Sequence, residues 1–406
     1  MQNLTLVIPT FNRPGHLSRL LSYYAGKNPE FSILVLDSSE PALQSANSEL
    51  LHRFAGKAQH MGFPGTIRPS QKLAEGLQHV GTPYAALCAD DDIVFPEALG
   101  HALDFLGSHP DYVCCDGIYL NFGASKGEIN LSVEYGSRSI EAEHPGARVF
   151  RLFQRYESLF YAVYRTPDMR DLFSFIKDIP SYHFQELFQA AGTVLKGKTH
   201  RLAEFYAARQ DCVTAEPTRE KWQTFYWFAD NNLEFLQHYQ GYRDELWRFY
   251  DKFSAEPRMQ RPTFNSVMDT AHVTFFSTNY PPHYFHSRLQ QHWPTEAFKD
   301  MRGQDRVYND LFLERQLTWE PRLIELVARV IDAVRLLLPR LGKRSLAKEA
   351  ARMAEDSLGW RCNLDPGLWW MASVPRFRNA FLELCRYLGE TAKQQQSARS
   401  ENIPKK

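Results

Sequence analysis

The sequence predicts an α/β domain with a mostly parallel sheet over residues 1–212, then a mainly α-helical region over residues 213–392. Three observations carry that division. Strand and helix patterns alternate through the first 120 residues, the order that builds a parallel sheet with helices on both faces. Charge is unevenly spread: residues 1–212 hold 19 basic and 23 acidic side chains, residues 213–406 hold 28 and 24, so the net charge of zero is a cancellation. All eight tryptophans lie at or beyond Trp222, so composition also changes near residue 213. The polar, charged segment 393–406 is expected to be disordered.

The elements follow from local pattern. Leu4–Ile8 is an apolar run ended by Pro9, a strand. Pro14–Ala25 reads as a helix, with Leu17, Leu20, Leu21 and Tyr24 on one face and Pro14 early, where its missing donor is harmless. Phe31–Leu36 is a second strand, closed by Asp37-Ser38-Ser39. Ala42–Phe54 and Pro69–Val80 read as helices. Tyr84–Cys88 is a strand running into Ala89-Asp90-Asp91-Asp92. Pro96–Leu106 is a helix and Tyr112–Leu120 a further strand. Arg148–Tyr156, Pro167–Ile176 and His183–Ala191 are helix candidates, the last with Gly192 as its C-terminal cap.

Composition excludes several classes. A net charge of zero gives no sign of a whole-chain polyanion binder, so no nucleic-acid partner is expected. No run of about 18 uncharged apolar residues occurs, so a spanning helix is not expected. The N-terminus lacks a basic segment followed by an apolar run, so no signal peptide is expected. The cytoplasm is then the expected compartment. None of the six cysteines forms a Cys-x-x-Cys pair, which argues against a thiolate zinc site. Adjacent Cys114 and Cys115 read as core residues.

Three segments carry chemistry: Leu6-Val7-Ile8-Pro9-Thr10-Phe11-Asn12-Arg13, Val35-Leu36-Asp37-Ser38-Ser39, and Cys88-Ala89-Asp90-Asp91-Asp92-Ile93-Val94-Phe95-Pro96. Each sits at the C-terminal end of an expected strand, where open α/β sheets bind ligands. Together, and in this order, they resemble family 2 glycosyltransferases of the GT-A fold, over about the first 210 residues. The resemblance implies a nucleoside-diphosphate sugar as donor, with a UDP-sugar favoured, and a glycan or lipid-linked acceptor. It implies surface polysaccharide or glycoconjugate assembly as the setting.

Three adjacent carboxylates repel one another, so hydration or a bound cation must offset them. Mg²⁺ and Mn²⁺ join one or two carboxylates to substrate phosphate. The resemblance makes Mn²⁺ or Mg²⁺ the expected cofactor. The family commonly has Asp-x-Asp here; aligned on Pro96, its acids fall at positions 89 and 91, and position 89 is alanine. Asp91 is then the leading metal ligand, Asp90 a ribose or metal partner, and Asp92 a supporting or acceptor-side residue. Pro9 and Thr10 can shape the ribose and base pocket, with Asn12 beside them. Asp37 is suited to accept from the base, or to form a turn before Ser38-Ser39. Arg68, Lys72 and Arg13 are candidates for base or diphosphate contact; a solvated helix face accounts for the first two as well.

An inverting transfer needs a base for the acceptor hydroxyl. In the family this is an acid near the start of a late helix. The matching segment is Ser181-Tyr182-His183-Phe184-Gln185-Glu186-Leu187. Glu186 is the first candidate, then His183, then Asp178; Gln185 stands where the family has the first of two acids. Downstream, Lys198, His200 and Arg209 are candidates to close over the diphosphate, and His200 to complete a metal shell.

The second half matches no known motif. His283 and His286 lie in an aromatic loop, and Leu323–Leu341 is amphipathic with interleaved arginines. Residues 333–406 hold 14 basic and 7 acidic groups, a pattern that suits an anionic bilayer surface in peripheral contact, a solvated bundle face, or a second subunit. Two other readings remain on this fold. One is a sugar nucleotidyltransferase, disfavoured because Pro9-Thr10-Phe11-Asn12 holds no glycine to cradle a triphosphate. The other is a non-catalytic nucleotide-sugar-binding protein, which Ala89 and Gln185 keep open.

Overall fold

The computed structural model describes residues 3–27, 29–52, 57–125, 128–136, 138–210, 232–253, 258–279, 361–364, 377, 380–384 and 387. The chain begins with β1 (Leu4–Thr10), α1 (Pro14–Lys27), β2 (Ser32–Asp37), α2 (Pro41–His52), β3 (Ala58–Gly62), α3 (Pro69–Leu77), β4 (Tyr84–Leu87), β5 (Ile93–Val94) and α4 (Pro96–Ser108). It continues with β6 (Tyr112–Ser125), β7 (Glu128–Tyr135), α5 (Pro145–Gln154), β8 (Val163–Arg165), α6 (Thr166–Ile176), α7 (Tyr182–Lys196) and β9 (Lys198–Gln210). Helices α8 (Asn232–Phe253) and α9 (Arg261–Asn279) follow, and β10 (Arg361–Leu364) completes the described strands.

The strands join in one sheet of order β10-β7-β6-β8-β4-β1-β2-β3, with β9 beside β6 and β5. Its β3-β2-β1-β4 half is parallel, as expected. Strands buried on both faces read as continuous apolar runs, and Leu6, Val7 and Ile8 are fully buried. Beyond β4 the sheet is mixed: β8 pairs antiparallel with both β4 and β6, β7 with β6 and β5 with β9, while β9 runs parallel to β6 and β10 parallel to β7, so parallel pairing still predominates. Parallel pairing sets Thr10 beside Asp37 and Asp37 beside Gly62. The ends of β1, β2 and β3 therefore form one edge.

Strands β3, β5, β7, β8 and β9 carry no strong sequence signal. Ala58-Gln59-His60-Met61-Gly62 is polar and half exposed, and β5 has two residues. One cap expectation fails. Helix α7 runs through Gly192 to Lys196 and ends at Gly197. Gly192 is a packing residue: a Cβ there would lie 2.7 Å from Leu172 Cδ2 and 3.5 Å from both Phe188 and Phe249. Its absence lets α7 approach α6 and α8 closely.

Helices α8 and α9 pack directly on the first 210 residues. Phe184 stacks on Tyr242 at 5.0 Å, Phe188 meets Phe249 at 5.7 Å, and Phe153 meets His272 at 4.1 Å. Such pairs add to plain area burial. Strand β10 extends the sheet beside β7. Farther on, Phe377 packs on Phe205 of β9 and Tyr387 on Tyr23 of α1. Among the described residues no helix is long and apolar enough to cross a membrane. The aromatic loop 280–286, the amphipathic segment 323–341 and the segment 393–406 lie outside the described residues, as does most of the basic region 333–406.

Gly192→Val is expected to destabilise the protein by about 1–3 kcal/mol, the usual cost of overpacking. Gly100→Ala in α4, where an added Cβ meets nothing within 4 Å, should be neutral or stabilising by about 0.5–1 kcal/mol. Urea unfolding of the two variants checks both signs.

Candidate active site

The site is built where β1, β2 and β4 end. Asn12 turns the chain out of β1 with φ 53°, a left-handed conformation that asparagine tolerates better than most residues. Its backbone N–H donates to Ser39 Oγ at 2.8 Å, and its Oδ1 accepts from Glu40 N at 2.9 Å. The loops after β1 and β2 are thus tied together. Asp37 is fully buried. It accepts from Ser39 N at 2.8 Å and Asn47 Nδ2 at 2.9 Å, with His60 Nε2 at 3.1 Å. Burial alone would raise its pKa, but these hydrogen bonds, led by His60, outweigh it and hold the carboxyl well below its usual range.

Lys72 enters the same edge from α3, buried to 4% exposure. Its Nζ donates to Thr10 O and Ser38 Oγ, each at 2.8 Å. Burial pushes its pKa down to about 8, against the opposing charges of Asp37 and Asp90. Thr10 Oγ1 donates to Asp90 Oδ2 at 2.6 Å. Pro9, paired with Leu36, precedes this network on β1.

The three acids follow β4 in a turn closed by Asp92 N donating to Ala89 O at 3.2 Å. All three are buried. Arg13 Nη1 lies 2.8 Å from Asp91 Oδ2 and 3.6 Å from Asp90 Oδ1. Burial raises the Asp90 pKa to about 6, with the Asp91 charge adding and Thr10 and Arg13 opposing. Asp92 points the other way. It accepts from the Tyr161 hydroxyl and from Gln210 N at 2.7 Å, and burial together with Asp91 raises its pKa.

Arg209 connects this turn to α7. Its Nη1 donates to Glu134 Oε1 at 2.8 Å and Tyr135 Oη at 3.1 Å, and its Nε lies 3.9 Å from Asp92 Oδ2. Glu186 lies in the field of the same guanidinium. Burial raises its pKa, opposed by Arg209 and by Tyr156, whose hydroxyl donates to Glu186 Oε1 at 3.3 Å. His183, in the first turn of α7, packs edge-on to Phe184, and burial pushes its pKa down to about 4. Gln185 turns away and donates to Ile179 O at 2.6 Å.

The structure thus brings together Thr10, Asn12, Arg13, Asp37, Lys72, Asp90, Asp91 and Asp92, with Arg209 and Glu186 alongside. It does not bring His200. That ring stacks on Phe105 at 3.8 Å and faces Glu141. It lies ten residues along β9 from Gln210, on the order of 30 Å at strand spacing. Lys198 pairs there with Asp111 and Glu143. Arg68 spends its Nη2 on the carbonyls of Ile179 and Pro180, bracing the entry to α7 rather than a ligand. Asp178 is exposed between α6 and α7. Sequence reasoning missed Arg19, Tyr156, Tyr161 and Gln210, whose roles depend on pairings far apart in the chain. It also gave no role to Phe11, which lies 52% exposed beside the ends of β1 and β2. An apolar ring in that polar setting is a signal on its own.

Among the described residues no three His, Cys, Asp or Glu side chains converge as a complete metal cage. Mg²⁺ and Mn²⁺ sites completed by substrate phosphate need only one or two carboxylates. Asp91, with Asp90 behind it, fits that lesser demand. His16 Nδ1, buried and with no hydrogen-bond partner among the described residues, lies in the field of Asp91. The donor set therefore suits a divalent cation shared with a diphosphate.

Lys72 gives a pH signature. Its folded pKa is depressed from 10.5 to about 8. The folded state therefore carries fewer protons than the unfolded between those values, and stability rises with pH across the window. Urea unfolding at pH 7.5 and 10 should show wild type gaining about 2–3 kcal/mol relative to Lys72→Met.

Comparison with known proteins bears on the whole arrangement. None of the curated proteins matches the chain. The chain is similar to the solved structure of S. aureus TarS 1-349, at 13% identity over 98% of this chain and 92% of that one, with a TM-score of 0.43. It is also similar to the mannosyltransferase PcManGT from Pyrobaculum calidifontis, solved with GDP-Man and Mn²⁺, at 12% identity over 81% and 86%, with a TM-score of 0.43. Likeness at that level says nothing of substrate. Residues 5–166 match the family described as Glycosyl transferase family 2, a span that takes in the parallel β1–β4 half of the sheet and the three acids. Over residues 5–166 the chain is thus similar to family 2 glycosyltransferases.

Proposed function

We propose that this protein is a metal-dependent, inverting glycosyltransferase. It moves a sugar from a nucleoside-diphosphate sugar, a UDP-sugar by preference, to a glycan or lipid-linked acceptor in surface polysaccharide or glycoconjugate assembly. The observation that carries this reading is the buried acid turn after β4, with Arg13 2.8 Å from Asp91 and Glu186 reached through Arg209.

Asp91, backed by Asp90, would hold Mn²⁺ or Mg²⁺ together with the donor phosphates. Such an ion neutralises charge gathering on the leaving nucleoside diphosphate. The chain's own groups do the rest. Lys72 fixes Thr10 and Ser38, so the ends of β1 and β2 present a preformed edge to the nucleoside. Phe11 offers its exposed face to the base. Arg13 is placed to turn from the carboxylates to the diphosphate. Arg209 places one positive charge in reach of both Asp92 and Glu186.

Glu186 is the proposed base. Its raised pKa brings it nearer working pH, where a carboxylate still ionised takes a proton most effectively. His183 is second: burial holds it neutral, and it lies in the field of His272 on α9. Asp92 is an anchor for Tyr161 and Gln210.

Two measurements test this. Isothermal titration should find UDP binding that strengthens at least tenfold with Mn²⁺ in wild type and not in Asp91→Asn, a loss of about 1.4 kcal/mol or more. No metal dependence in wild type would remove the reading. Glu186→Gln should lower turnover by about 10²–10⁴-fold while UDP binding stays unchanged; near-normal turnover would move the base elsewhere.

A further inference from the structure

We propose that Arg19 is a positioning residue for the acid turn, and that Phe377, Glu383 and Tyr387 complete the support of that turn by clamping α1 and β9. Arg19 lies on α1, far from the sequence motifs. Its Nη2 donates to the backbone carbonyl of Asp91 at 2.9 Å and to Gln210 Oε1 at 2.7 Å. Gln210 in turn donates its backbone N–H to Asp92 Oδ1 at 2.7 Å. The guanidinium therefore ties the acid turn to the end of β9.

The choice of atom matters. The turn is already closed between Asp92 N and Ala89 O. Holding the Asp91 carbonyl as well fixes the peptide plane after Asp91, and with it the direction of that carboxylate. The longer, planar guanidinium reaches both acceptors through Nη2 while its Cζ stays beside an aromatic ring, a geometry that the shorter lysine does not reproduce.

The ring is Tyr387, whose centroid lies 5.6 Å from Arg19 Cζ. Tyr387 is held in place from α1. It meets Tyr23 edge-on at 5.3 Å. The Tyr23 hydroxyl donates to Glu383 Oε1 at 2.5 Å, and Lys27 Nζ pairs with the same oxygen at 2.8 Å. Arg19, Tyr23 and Lys27 recur every four residues, so they form one stripe of α1. Leu17, Leu20, Leu21 and Tyr24 form its apolar face, all fully buried. Helix α1 thus serves two partners, the sheet on one side and the returning end of the chain on the other. Phe377, 4.7 Å from Phe205, extends that contact to β9. A late segment, 360 residues distant from Tyr23 at Glu383, becomes part of the site's support.

The ligand arm of the test rests on the proposed function; the exchange arm does not. In the full-length protein, amide hydrogen exchange is followed for residues 88–94 and 208–210, and Mn²⁺-dependent UDP binding is titrated. Arg19→Met and Tyr387→Leu should each speed exchange in those two segments, with β1 and β2 unchanged. Each should weaken Mn²⁺–UDP binding about tenfold, on the scale of one hydrogen bond to a charged group. Tyr387→Phe keeps the ring but loses the hydroxyl beside Arg19, and should lie nearer wild type than Tyr387→Leu in both. Arg19→Lys should behave like Arg19→Met. If Arg19→Met does not fold, Tyr387→Leu with Tyr387→Phe decides alone. Wild-type exchange at 88–94 in Tyr387→Leu, or loss spread evenly over the sheet, would overturn the proposal. Absence of UDP binding in wild type would strike the proposed function and leave the exchange result to judge Arg19.

Discussion

Three carboxylates buried side by side at the end of one strand are the constraint on which the rest of this structure depends. Two unit charges 4 Å apart repel by about 4 kcal/mol at the effective dielectric of a protein surface. Burial adds to that, and it is the leading cause of the raised pKa values of Asp90 and Asp92. The fold offsets the cost by sending each acid to a different partner. Asp90 takes Thr10 from β1, Asp91 takes Arg13 from the first loop, and Asp92 takes Tyr161 and Gln210 from beyond. Four segments meet at one turn because that turn cannot stand alone.

The same logic runs outward. Lys72 holds the ends of β1 and β2 through Thr10 and Ser38, so the residue that bonds Asp90 is itself fixed. Arg209 stands between Asp92 and the Glu186 region, so the acid turn and α7 share a charge. Behind α7, the aromatic rings of α8 cover Phe184 and Phe188. The helical part of the chain is the backing of the element that carries the proposed base.

Local pattern made half of the sheet legible. Continuous apolar runs marked β1, β2, β4 and the start of β6, and the three-acid segment marked the end of β4. The polar strand at Ala58–Gly62 was not legible, yet it brings His60 to Asp37. Nor was β9, whose far end carries Arg209 and Gln210 into the site while its near end removes His200 from it. A residue's distance along a strand is invisible until the strand is recognised. Gly192 read as a helix stop because glycine commonly ends helices; here close packing with Leu172 and Phe249 required it inside one. Arg19 escaped notice because its meaning comes from partners 72 and 191 residues away.

The central claim is that the acid turn gathers a divalent cation around a nucleoside diphosphate for sugar transfer. The most direct measurement is release of nucleoside diphosphate from a panel of nucleotide sugars, with Mn²⁺ and with chelator, for wild type and Asp91→Ala. Release is expected from at least one donor, a UDP-sugar first, lost both on chelation and in Asp91→Ala. Release that persists through both would contradict that claim.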